Sequence, residues 1–278
     1  MKADTVLVHQ IYYDAATRAK LLPGFIPLDN TANERPDWFE FWVMLNFLQS
    51  NVLDDDAWYG FLSPRFREKT GFTSQFVIEG LQRYGRSFDV AIFSPGWDQL
   101  AYFLNPWEQG EAWHPGLTDL AQAFLSGAGR SADLKSLVTD SATSAFCNFI
   151  VARKPYWLQW LQLAREFFDF VELGQDRNAL SSAQTGAGTK GLRLPMKTFI
   201  QERLSSLILA TGAFKVLAPD QSLGGPVSAQ LFPGGPATRR MLQACDLMKG
   251  KYRQTGDHAY LDMYWKIRRD IPYAGPGA

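Results

Sequence analysis

Short apolar runs rich in β-branched residues alternate along this chain with stretches whose apolar positions recur every three to four residues, the patterns of strands and of amphipathic helices. Residues 5–12, Thr-Val-Leu-Val-His-Gln-Ile-Tyr, predict a first strand. Asp14 is placed to cap a short helix running to Lys20, and 23–30 reads as extended chain ending in turn formers. Pro36 opens a helix with Trp38, Phe41, Trp42, Leu45 and Leu48 on one face. Residues 58–62 and 89–93 are apolar strands each stopped by Ser-Pro, with a helix near 73–84 between them. Strands that end alike around a helix read as successive members of one parallel sheet.

Farther along, 97–125 contain two helical stretches broken at Trp113-His114-Pro115-Gly116, and a strand pair is expected around 134–139 and 146–152. Pro155 begins a strongly amphipathic helix presenting Trp157, Trp160, Leu161, Ala164, Phe168 and Val171. Residues 174–194 then lose their apolar anchors, as a disordered connection or a lid would. A helix resumes at Met196, a short strand follows at 214–217, and a Gly/Pro-rich loop over 219–236 precedes two terminal helices within 237–270. The alternation predicts an α/β fold: a mostly parallel, Rossmann-like sheet flanked by helices, with a C-terminal helical extension. No composition break divides it, so 1–278 reads as one domain.

Composition narrows the function. Lys plus Arg equals Asp plus Glu, 28 of each, so no global field favours nucleic acid or an anionic membrane, and any phosphate affinity is local. The aromatic share, 14%, suits either sugar-stacking surfaces or a large core. Cys147 and Cys245 fit no metal or redox spacing and read as reduced core thiols. The start, Met-Lys-Ala-Asp, leads into a strand rather than a signal peptide, and no apolar run reaches membrane-spanning length. The expectation is a cytoplasmic protein with room for contact at the inner face of a membrane; oligomeric state is not readable.

Candidate chemistry gathers at predicted strand ends. After Trp58–Leu62 come Ser63-Pro64 and the cations Arg65, Arg67 and Lys69, which suit a phosphorylated ligand at the carboxyl edge of a sheet, or an exposed basic turn. His9, Gln10, Tyr12 and Tyr13 end the first strand, where a nucleotide base and ribose commonly sit. Asp29, Asn30, Thr31, Asn33, Glu34 and Arg35 crowd one loop that could hold ribose hydroxyls or cap a helix. Asp54-Asp55-Asp56 invites a Mg²⁺ or Mn²⁺ reading, but it precedes a strand and so falls at the wrong edge. Residues 186–191 lack the phosphate-loop spacing, and His9, His114 and His258 are too scattered for zinc. Asp140 stands after a predicted strand near Asn148, and Glu202-Arg203 lies mid-helix between apolar flanks. Either acid, in a cleft that raises its pKa, could be a general base; Glu202-Arg203 could equally be a structural ion pair.

Taken together, the Asp-Asn loop before an aromatic helix, the strand end Gly60-Phe61-Leu62 followed by Arg65, the run Phe146-Cys147-Asn148-Phe149-Ile150-Val151 before an aromatic helix, and Phe199-Ile200-Gln201-Glu202-Arg203-Leu204 resemble the glycosyltransferase-like domain of bacterial capsular and exopolysaccharide synthesis proteins. Gly60, Arg65, Asn148, Ile150, Glu202, Arg203 and Leu204 match that family's motifs, over a core of about 5–217. Ser63, Pro64 and Phe66 stand where the family has His, Tyr and Arg, which marks a distant relative or a sister group. The resemblance implies a GT-A type fold and a transferase that moves sugar from a UDP- or GDP-linked donor to a polysaccharide or glycolipid acceptor. Under it His9, Gln10, Asp29, Asn30 and Asn33 would hold the nucleotide, and Ser63, Arg65 and Lys69 the diphosphate. His114, Asn148 and Arg203 would complete the donor site, and Asp140 or Glu202 would act as base. Residues 174–194 would close as a lid. Mn²⁺ or Mg²⁺ is left open, since the cations could replace it. The rival is a non-catalytic carbohydrate- or partner-binding module of the same fold.

Overall fold

The computed structural model describes residues 4–173, 184–187 and 192–276, and the chain forms two compact units. The first comprises Met1–Pro95, Cys147–Asp169 and Gly212–Ala218, and is built on a six-stranded sheet. Its strands are β1 (Thr5–Tyr12), β2 (Ile26–Asp29), β3 (Ala57–Leu62), β4 (Val90–Ile92), β5 (Ile150–Arg153) and β8 (Val216–Leu217), in the order β2-β1-β3-β5-β4-β8. All pairings are parallel except the two made by β5. The two strands that end in Ser-Pro, β3 and β4, do share a direction, but β5 separates them. Nothing in their own sequences signals a later strand inserting antiparallel between them.

All six residues of β3 are buried, as expected of a central strand covered on both faces. Alternation sends Tyr59 and Phe61 to one face and Trp58, Gly60 and Leu62 to the other. Phe61 meets His9 at 5.5 Å, Phe47 of α2 (Phe39–Ser50) at 5.0 Å and Trp157 of α8 (Lys154–Leu173) at 5.0 Å between ring centroids. The Trp157 indole N–H donates to the carbonyls of Tyr59 (3.0 Å) and Ala152 (3.1 Å), tying β3 to β5. Trp38 and Phe41 pack against Phe167, and Phe41 against Trp160, so α2 and α8 meet through aromatic rings. On the opposite face Val8, Trp58, Leu62 and Val151 pack with Val77 and Leu81 of α4 (Ser74–Tyr84). Much of the aromatic content is therefore core.

Gly60 explains itself here. A Cβ at this position would lie 2.8 Å from Val151 Cγ2 and 3.3 Å from Val8 Cγ1, so flanking strands fill its side-chain space. The α1 turn (Ala15–Arg18) is capped as the sequence predicts: the Asp14 carboxylate accepts from the Thr17 amide at 2.6 Å. The next short helix, α3 (Phe66–Thr70), follows β3 directly.

The second unit comprises Gly96–Phe146, Phe170–Thr211 and Pro219–Ala278. It contains α5 (Trp97–Tyr102), α6 (Pro106–Trp113), α7 (Leu117–Gly127), α9 (Met196–Gln201), α10 (Leu204–Thr211), α11 (Gly235–Thr255) and α12 (His258–Asp270). The predicted break at 113–116 separates α6 from α7, while Asn105 adds a further break by capping α6. Residues 134–139 do not form the expected strand. The Asn105 amide donates to the Leu134 and Leu137 carbonyls, and Gln122 brackets Ala132 and Leu134, so side chains from helices take up the backbone groups a sheet would have used. The lid expected over 174–194 falls largely outside the described residues; β6 (Gln184–Ala187) and β7 (Leu192–Pro195) pair antiparallel within its C-terminal part and just beyond. No helix among the described residues is long and apolar enough to cross a membrane.

Candidate functional site

From β1 the chain runs to β2 on one side and then to β3 on the other, so strand order reverses at β1. The crevice beyond the carboxyl ends at such a reversal is where open α/β sheets bind ligands. Three loops meet this rim: Tyr13-Asp14 after β1, residues 30–36 after β2, and 63–65 after β3. Because β5 is antiparallel, its preceding residues Cys147 and Asn148 reach the same rim, and pairing extends there through the Phe93 amide to the Phe149 carbonyl at 2.9 Å. The Asp54–Asp56 run lies at the other edge, before β3; Asp54 accepts from the Asp56 amide and Asp55 pairs with Lys154.

A cavity of about 290 Å³ opens on the rim, lined by Ile11, Tyr13, Asn30, Asn33, Pro36, Phe39 and Glu40. The Asn30 amide N–H donates to the Tyr12 carbonyl at 2.8 Å, and the Asn33 N–H to the Asn30 carbonyl at 3.1 Å, which folds this loop over the end of β1. Among the described residues, the side-chain amides of Asn30 and Asn33, the Tyr13 phenol and the Glu40 carboxylate make no hydrogen bond within the protein. Burial pushes the Tyr13 pKa up, the Glu40 and Asp14 carboxylates push it further, and the Arg65 guanidinium opposes them. Asn33 (φ 42°) and Phe39 (φ 49°) are the non-glycine residues with positive φ among those described, and both line this cavity. Asparagine tolerates that region; phenylalanine does not, and it costs of order 1–3 kcal/mol. Strain and unspent polar groups thus coincide in one concave place.

Beside the cavity, Asp29 ends β2 with one carboxylate oxygen accepting from the Tyr12 hydroxyl (2.7 Å) and the other from the Thr31 amide (2.8 Å). These bonds, the Thr31 amide first, hold its pKa below the usual carboxylate value. Arg65 is half exposed and shares its guanidinium with Glu68 at 2.6 Å. Its field reaches Tyr13 on one side and is felt by Cys147 on the other. Lys69 Nζ lies 3.4 Å from Cys147 Sγ and 5.6 Å from the Phe149 ring centroid. The rim therefore runs as a polar series from Glu40 through Tyr13 and Arg65 to Lys69. The Asn148 Oδ1 is buried without a donor.

No family model matches the chain, and no curated protein or solved structure matches it significantly. Function must come from the site. Several residues marked by the sequence are spent on the scaffold. Gln10 is fully buried; its Nε2 donates to the Ser63 carbonyl and its Oε1 accepts from the Leu22 amide, which locks the β3 end and the stretch before β2 against β1. His9 sits between Phe47 and Phe61, its pKa lowered by burial, and does not reach the rim. The Ser63 hydroxyl accepts from the Arg65 amide, shaping the turn that presents the cation.

In the second unit, Arg203 is 4% exposed and donates to the Pro106 and Phe199 carbonyls and to Gln109 Oε1, all at 2.6–2.7 Å. His114 stacks on Phe199 at 3.7 Å, and burial together with the Arg203 charge drives its pKa down to about 4. These two residues join α6 to α9. Asp140 pairs with Arg253 at 3.3 Å and accepts from the Thr143 hydroxyl at 2.6 Å, so its carboxylate is engaged, and it follows a loop rather than a strand. Glu202 is half-buried and directly follows α9. A cavity of about 350 Å³ in this unit has its acids occupied: Glu111 accepts from the Gly116 and Thr118 amides, and Glu108 pairs with Arg268. Among the described residues there is no cluster of three or more His, Cys, Asp or Glu able to hold a metal.

Sequence reasoning singled out Asn30, Asn33 and Arg65 but missed Glu40 and Phe39. A glutamate in the first turn of an aromatic helix looks like an ordinary solvated position. The available signal was its spacing of four residues from Pro36, although Pro36 belongs to a separate 3-10 turn (Pro36–Trp38) that Phe39 divides from α2, and the predicted helix start splits in two there.

Proposed function

We propose that the chain is a glycosyltransferase that moves a sugar from a nucleotide-diphosphate donor to a polysaccharide or glycolipid acceptor in bacterial surface-polysaccharide synthesis. The observation that carries this reading is the rim cavity at the strand-order reversal, whose Tyr13, Asn30, Asn33 and Glu40 polar groups are unspent. The base enters this cavity, and Asp29 at the end of β2 meets ribose hydroxyls. The diphosphate lies toward Arg65 and Lys69, because guanidinium and ammonium groups make charge-assisted bonds to phosphate oxygens. Asn148 Oδ1 offers an acceptor for a sugar hydroxyl. Of the two acids read as bases, Asp140 is engaged with Arg253 and Thr143.

Arg65→Ala is expected to cost about 1.5–3 kcal/mol of donor binding, the range for hydrogen bonds to charged groups. Calorimetric titration checks this, and unchanged affinity removes Arg65 from the diphosphate site. The engaged Asp140 favours one other reading, a binding module with the same pocket and no turnover. Release of nucleoside diphosphate from a nucleotide-sugar panel, with and without Mn²⁺, separates the two.

A further inference from the structure

The rim cavity carries enough chemistry to choose among bases. Resting on the nucleotide reading above, we infer that it selects guanine, whose N1–H and N2–H are held together by the two oxygens of Glu40. Guanine alone among the common bases presents two adjacent donors on its pairing edge, spaced for a pair of parallel bonds to one carboxylate. Uracil presents one N–H between two carbonyls. Adenine and cytosine present an amino group beside a bare ring nitrogen. With each of these, the second carboxylate oxygen would face a lone pair, and a desolvated charged group without a partner is costly.

Glu40 meets the requirement from the protein side. Its carboxylate lines the cavity, is partly buried, and makes no hydrogen bond among the described residues. Asn30 and Asn33 supply amide N–H groups for guanine O6 and N7. Tyr13 and Phe39, 43% and 38% exposed, offer rings to the faces of a purine. Arg65, whose charge acts on Tyr13, stands where the phosphates would follow.

The test is calorimetry on the full chain with GDP, UDP, ADP and CDP at one Mg²⁺ concentration, for wild type, Glu40→Gln and Arg65→Ala. GDP should bind at least tenfold tighter than the other three. Glu40→Gln should weaken GDP at least tenfold while leaving UDP within about twofold, because glutamine offers one acceptor and a donor that opposes guanine's second N–H. Arg65→Ala should weaken all four by a similar factor and keep their order. Equal or tighter binding of UDP, ADP or CDP overturns the guanine assignment and leaves the donor reading standing. Binding of GDP unchanged in a folded Glu40→Gln protein also overturns it. If no nucleotide binds, both fall. Should Glu40→Gln fail to fold, the wild-type ranking decides.

Discussion

Trp157→Ala is expected to lower stability by about 4 kcal/mol, the middle of the range for removing a buried aromatic ring. Trp157 is 1% exposed and touches Phe61, Tyr156 and Trp160, so truncation leaves a hole between α8 and the sheet. The same change strips the indole donor from two carbonyls, Tyr59 on β3 and Ala152 on β5, at the point where the antiparallel strand joins the parallel ones. Trp157→Phe keeps most of the volume, losing the N–H and part of the ring, so it should cost about 1–2 kcal/mol. Urea unfolding of the three proteins reads both numbers. A loss below about 1 kcal/mol for the alanine variant would mean that Trp157 does not clamp these strands.

Lys249 should leave a mark on stability at alkaline pH. It is fully buried in α11, donating to the Leu100 and Phe103 carbonyls, and burial drives its pKa down to about 8 against the partial compensation of Asp246 and Asp140. A lysine with a depressed folded pKa binds fewer protons in the native state than in the unfolded chain between about pH 8 and its ordinary value of 10.5. Its contribution to stability therefore rises with pH across that window, by roughly 3 kcal/mol at about 1.4 kcal/mol per pH unit. Cys245, pushed up to about 12 by burial, acts in the opposite sense as pH passes its ordinary value near 9. Subtracting the Lys249→Met stability curve from the wild-type curve removes that opposing contribution. The difference should climb between pH 8 and 10.5, and parallel curves would show that Lys249 titrates normally.

The parts of the fold legible in the sequence are those written locally. Asp14 caps α1 because its carboxylate and the Thr17 amide are three residues apart. The run from Ala57 to Leu62 reads as a central strand because every residue is apolar or glycine, and Pro64 closes it. Gly60 was visible as a motif residue, but its cause, the side chains of Val151 and Val8 in the space of its Cβ, comes from strands far away in the chain. The insertion of β5 between β3 and β4 is likewise nonlocal. So is the loop at 134–139, whose apolar residues look like a strand until Asn105 and Gln122 claim its backbone.

The site divides in the same way. Asn30, Asn33 and Arg65 announce themselves by clustering polar groups after strands. Gln10, His114, Arg203 and Asp140 look equally chemical in the sequence, yet their polar atoms meet carbonyls, rings or opposite charges inside their own unit. Only folding reveals which polar groups are already satisfied. Glu40 shows the converse: its helix-start position is unremarkable until the Asn loop closes a cavity in front of it.

The most direct measurement of the central claim is a crystal structure of the chain with a nucleoside diphosphate bound. The account places the base between Tyr13 and Phe39, with its polar edge on Glu40 and Asn30, and the phosphates toward Arg65 and Lys69. A nucleotide bound at the second unit's cavity beside Glu108 and Glu111, or density nowhere on the sheet's carboxyl rim at saturating ligand, would contradict it.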